Sequence, residues 1–99
     1  MDTVQLLKRD AALVASVETD KLGRKIVRDA MKRLQDLPRW ARATRSDLEM
    51  PRTIQVEFTR LSSRVVRGDA LNDQEIRRMQ RCAELIFDWF DARLNGQPA

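Results

Sequence analysis

The stretch DQEIRRMQRCAELIFDWFDARL, residues 73–94, decides the fold. It has a start signal, a stop signal and a helical period between them. Asn72 or Asp73 can offer a side-chain oxygen to a backbone N–H left free in the first turn. Asp73 and Glu75 put negative charge at the positive end of the helix dipole. Asn95-Gly96 ends the run, because Gly enters the left-handed C′ conformation without a Cβ penalty, and Pro98 prevents regrowth. Between these signals Ile76, Met79, Ala83, Ile86, Phe90 and Leu94 recur at steps of three and four, one helix face that Phe87 widens.

A second strip, Cys82, Leu85 and Trp89, runs beside the first at i, i+3, i+7. Arg77, Gln80, Arg81, Glu84, Asp88 and Asp91 fill the remaining arc. The C-terminal half is therefore too apolar to rest on a single neighbour. Either other helices flank it on both sides, or Leu85 and Trp89 stay partly exposed until a partner or a second copy covers them. Trp is enriched at interface hot spots.

Upstream, Thr53 to Val66 reads in two ways. As a helix, Ile54, Phe58, Leu61 and Val65 share a narrow stripe, with Arg60, Arg64 and Arg67 along the other side. As a strand, residues 53–59 alternate with period two. The helical pattern covers more residues and no second strand is visible for pairing, so helix is preferred. Pro51 is expected in its first turn. Ser46-Asp47-Leu48-Glu49 has the form of a capping box, and Met50-Pro51 cuts short any helix growing from it.

Residues 3–17 read as a first helix with Val4, Leu7, Ala11 and Val14 on one stripe. Leu6, Leu13 and Val17 form a second face, which places the helix between neighbours or inside an oligomer interface. A break is expected at Glu18-Thr19-Asp20, with Thr19 or Asp20 capping a second helix, although one long helix with Gly23 inside it also fits. From Lys21 to Leu37 the apolar set is Leu22, Ile26, Ala30, Leu34 and Leu37, flanked by Val27 and Met31. Arg24, Lys25, Arg28 and Lys32 make a basic ridge on the far side, and Pro38 stops the helix. Trp40 is expected to fold back as an anchor.

We therefore expect one all-α domain over 1–99, a small bundle of three to five helices organised by the C-terminal one. Residues 1–37 form a helical hairpin or one long helix, 38–51 an irregular connection, 52–67 a helix and 72–94 the C-terminal helix.

The chain holds no His, one Cys and three Gly. The commonest general base near neutral pH and the commonest zinc ligand are missing, and phosphate-cradling glycine loops are nearly excluded. Cys82 reads as an inert core thiol. Carboxylate pairs such as Glu84/Asp88 lie on a polar arc beside Arg81, as on any solvated helix face. We expect no enzyme, no cofactor, no metal and no small-molecule substrate. No apolar run reaches the roughly 20 residues of a membrane span, and Met1-Asp2-Thr3 lacks the features of a signal peptide. With a lone cysteine besides, cytoplasm is the expected compartment.

Two binding functions remain. The first is a non-catalytic protein–protein interaction module, a regulator, inhibitor or adaptor, acting as a homodimer or in a hetero-complex. Its interface would use Leu85, Trp89, Cys82, Leu6, Leu13 and Val17. The second is nucleic-acid binding through the basic middle of the chain. Residues 24–67 carry twelve basic and five acidic side chains. Arg24, Lys25, Arg28 and Lys32 form one ridge and Arg60, Arg64 and Arg67 another. Were 53–59 a strand, the order strand, short helix, turn, long helix would be similar to a ribbon–helix–helix repressor. That resemblance implies a dimer presenting Thr53, Gln55 and Glu57 to a major groove.

Overall fold

The computed structural model describes residues 3–44 and 50–94. It contains α1 (Thr3–Ser16), a short 3-10 turn (Thr19–Lys21), α2 (Lys25–Gln35), α3 (Leu37–Thr44), α4 (Arg52–Val66) and α5 (Asp73–Leu94). The fold is all-α, a small bundle with a long C-terminal helix. α1 packs on α2 and α5, and α4 packs on α5 and α2, so these four helices close a ring, with α3 resting on α2.

α5 starts as its residues dictate. Asn72 Oδ1 accepts from the Glu75 backbone N–H at 2.8 Å, and Glu75 Oε1 accepts from the Asn72 N–H at 3.0 Å. This reciprocal capping box satisfies two otherwise free donors. Glu75 also receives Arg64 Nη1 of α4 at 2.6 Å, which pins the α4–α5 corner. Ile76, Met79, Ala83, Ile86 and Phe90 are all buried, as the stripe requires. The side chain of Leu94 and the stop signal at Asn95-Gly96 lie outside the described residues, as does the capping box at Ser46–Glu49.

α4 resolves the helix–strand ambiguity in favour of helix, and no strand occurs among the described residues. Phe58, Leu61 and Val65 are buried and Ile54 is half-buried. Val56, which completed the period-two pattern, is instead left 54% exposed. Without a strand at 53–59 the ribbon–helix–helix likeness has no ribbon to pair, and that topology is ruled out. Pro51 stands one residue earlier than expected, as the N-cap of α4. The helix ends in a Schellman motif: Gly68 N–H donates to Val65 O (3.0 Å) and Asp69 N–H to Arg64 O (2.8 Å), with Gly68 at φ +89°.

Three other expectations are corrected. The break after α1 is real, but neither Thr19 nor Asp20 caps α2, which begins at Lys25 with Arg24 as an N-cap that makes no side-chain hydrogen bond. Ile26 does not join the core; it is 63% exposed, while Val27 and Met31 take the buried positions. The region after Pro38 is not all irregular, since 37–44 is α3. α2 does stop at Gln35, and Pro38, which has no N–H to satisfy, sits in the first turn of α3, where none is needed. Trp40 closes that turn by donating its N–H to Asp36 O at 3.0 Å.

The capping carboxylate predicts a pH dependence. The hydrogen bonds from Asn72 first, then Arg64, hold Glu75 below the ordinary carboxylate value of 4.5. A depressed folded-state pKa adds stability above the unfolded value and loses it as pH falls through the folded one. Glu75→Gln should therefore be less stable than wild type at pH 7 in urea denaturation, and the difference should shrink steadily below about pH 4.5. A difference independent of pH would show that the charge of Glu75 plays no part.

Candidate interaction surfaces

The sides of the bundle are set by a few polar contacts. Leu6, Asp10 and Leu13 of α1 and Val17 just beyond its end share one strip at i, i+4, i+7, i+11. Asp10 is 4% exposed and receives Arg33 of α2 in a bidentate pair, Nε to Oδ2 at 2.7 Å and Nη2 to Oδ1 at 2.9 Å. That bond, then burial acting against it, raises the Arg33 pKa above its usual value. The strip therefore lies on the α2 side of α1. Ile26, seven residues before Arg33, lies on the α1 side of α2.

Below this pair Leu6 lines a shallow cleft of about 170 Å³ with Thr3, Leu7, Arg33, Asp36 and Trp40. Pockets for small molecules hold roughly 300–1,000 Å³, so this one is a surface dent. Leu13 and Val17 are half-buried and pack against the core. Gln80 of α5 reaches the end of α1, where its Nε2 donates to the carbonyl oxygens of Val14 (3.1 Å) and Val17 (2.8 Å). Reading Gln80 as part of a polar arc missed this role; only the antiparallel pairing of α1 and α5 creates it.

The opposite edge carries the second expected strip. Arg78 meets Glu57 of α4 at 3.4 Å, so residues 78, 82, 85 and 89 run along the α4 side of α5. Cys82 is 7% exposed and burial pushes its thiol pKa up, so it backs the strip instead of presenting a surface. Trp89 is half-buried, edge-on to Phe90 with ring centroids 5.0 Å apart, and Trp40 meets Phe90 from α3 at 6.4 Å. Leu85 is half-buried. The six residues of the expected interface thus divide: Leu6, Leu13 and Val17 on the α1–α2 edge, Leu85 and Trp89 on the α4–α5 edge, and Cys82 inside.

The basic ridges divide as well. Arg60 binds Glu57 at 3.1 Å, Arg64 binds Glu75 and Arg67 binds Asp69 at 3.2 Å. These arginines hold α4 and its C-terminal turn together. On α2, Lys25 binds Asp29 at 2.8 Å, a bond that keeps the Asp29 pKa low. Arg24, Arg28 and Lys32 have no carboxylate within ion-pairing distance among the described residues, and neither does Arg52 of α4. Arg28 Nε is buried and has no hydrogen-bond partner.

Among the described residues no group of three or more metal-ligating side chains comes together, and no helix is long and apolar enough to cross a membrane. No family model matches the chain, and no curated protein or solved structure matches it.

Two stability measurements check these placements. Arg33→Met strands the Asp10 carboxylate and should cost about 2–3 kcal/mol, less than a fully buried pair because Arg33 itself is partly exposed. Adding Asp10→Leu should restore most of that loss; a single variant as stable as wild type would show that Asp10 is hydrated. Trp89→Ser should cost about 2 kcal/mol through its lost contact with Phe90, whereas Leu85→Ser should cost under about 1 kcal/mol. Equal costs in urea denaturation would mean that both residues belong to the core.

Proposed function

We propose that the protein is a non-catalytic protein–protein interaction module, a regulator, inhibitor or adaptor that works by presenting helix faces to another protein. The reading is supported above all by Ile26 and Val56. Among the described residues they are the large apolar side chains left more than half exposed, at 63% and 54%. Both flank α2: Ile26 on its α1 side, Val56 on the strip of α4 that also bears Ser63, which accepts a hydrogen bond from Gln35 of α2 at 3.3 Å. Neither contributes to the core, so exposing them brings the fold no evident benefit.

Sequence spacing favoured Leu85 and Trp89 as the docking strip, and the half-buried state of both now makes the α2 face the better candidate. The nucleic-acid alternative retains Arg24, Arg28 and Lys32 alone as unpaired cations from its two ridges, a short row beside the 6–10 phosphate contacts of strongly salt-dependent binders.

The test is a pull-down from a lysate of the protein's own cells, with nuclease, comparing wild type with Ile26→Ser/Val56→Ser. The variant should unfold within about 0.5 kcal/mol of wild type per site, since both residues are exposed. It should retain at least about tenfold less of a protein partner, the scale of a single hot spot. Capture abolished by nuclease, or unchanged in the variant, would refute the proposal.

A further inference from the structure

The groove between α2 and α4 is defined by one contact. Gln35 Nε2 donates to Ser62 Oγ at 2.8 Å and to Ser63 Oγ at 3.3 Å, so the strips containing these residues face each other. On α2 that strip continues back through Arg28 and Arg24 at helical spacing, with Lys32 at its outer margin. On α4 it continues through Thr59 and Val56 to Arg52. Every charged residue of these two strips is a cation, and the carboxylates of the same helices, Asp29 and Glu57, are bound to Lys25 and to Arg60 and Arg78 on other sides.

Two features set these cations apart from ordinary solvated charges. α2 has no acidic residue in its first turn and Arg24 at its N-cap, so positive charge stands at the positive end of the helix dipole, where it disfavours the helix. Meanwhile each arginine of the other ridge has been given a carboxylate. Arg39 of α3 and Arg77 of α5 also stand without an ion pair among the described residues, but the groove is where four such cations come together.

Resting on the docking role proposed above, we infer that this groove takes an acidic amphipathic helix from another protein, whose apolar side chains cover Val56 and whose carboxylates meet Arg24, Arg28, Lys32 and Arg52. A second copy docked symmetrically would set these cations against their own equivalents, so a twofold self-contact here opposes like charges. Nucleic acid would use the cations but has no use for Val56 at the centre of the face, 54% exposed among them. An amphipathic helix uses both, laying its apolar stripe in the groove and its acids on the rim.

The probes are two fluorescein-labelled 18-residue helical peptides and a 20-base-pair DNA duplex, read by anisotropy against the full chain. Both peptides have Leu at i, i+3, i+4 and i+7, one with Glu and one with Lys at the other positions. The Glu peptide should bind at least tenfold more tightly than the Lys peptide. Arg28→Glu/Lys32→Glu and Val56→Asp should each weaken it at least tenfold, with helical circular dichroism unchanged. If the two peptides bind alike and only Val56→Asp weakens them, the docking role survives and the acidic partner is refuted. If charge reversal alone matters, or DNA binds while the Glu peptide does not, both are overturned. Failure of the Glu peptide to bind at millimolar concentration also refutes the inference, and light scattering that shows self-association lost with charge reversal would replace it with a head-to-tail contact between copies.

Discussion

One apolar wall governs this bundle: the α5 stripe Ile76, Met79, Ala83, Ile86 and Phe90, buried along its whole length. α1 and α4 pack on either side of it and α2 closes the ring opposite. Burying a Leu-, Ile- or Phe-sized side chain contributes about 1.5–3 kcal/mol, against about 1 kcal/mol for a typical hydrogen bond. The wall and its facing residues, among them Leu7, Val14, Met31, Leu34, Phe58 and Leu61, therefore supply most of the driving force. Phe90 has a second role, since it receives Trp89 from its own helix and Trp40 from α3. Through that aromatic group the short helix α3 is tied to the end of the bundle.

Polar contacts then select one arrangement of these helices. Gln80 satisfies two carbonyls at the end of α1, where no glycine supplies a Schellman turn. Ser62 is completely buried and hydrogen-bonded on both sides, accepting from Gln35 and donating to Phe58 O at 2.6 Å. Asp10 under Arg33 fixes the α1–α2 register, because any slip would leave a buried carboxylate without its guanidinium. Each link is modest in net energy and large in the cost of breaking it, and so each discriminates among packings that bury similar apolar area.

The same accounting explains the surface. Arginines adjacent to carboxylates of their own or a neighbouring helix serve the fold, as at the α4–α5 corner. Arg33 of α2 likewise serves the fold through Asp10 of α1, whereas Arg24 and Arg28 meet no acid of either neighbour among the described residues. A chain of +4 net charge thus gathers Arg24, Arg28, Lys32 and Arg52, four cations without an ion pair among the described residues, at the groove between α2 and α4. The exposed Val56 borders that groove, so an apolar and a charged feature that looked separate along the chain come together there, while Ile26 lies on the opposite flank of α2.

The sequence alone determined the helical class, the start of α5 and its buried stripe, and it favoured without deciding the break after α1 and the helical state of 52–66. These are local matters: spacing, capping oxygens, glycine and proline act within a few residues of themselves. It also offered apolar side chains as an expected interface, but grouped them by helix. Tertiary structure alone decided that Leu6 and Leu85 lie on opposite edges, that Arg64 is bound while Lys32 has no ion pair among the described residues, and that Ile26 and Val56 are left exposed. The physical reason is that a helical stripe wider than one neighbour can be covered from either side, and a surface charge can be neutralised from any helix that passes. Which side and which helix depend on how the elements cross, and no spacing within one element encodes that.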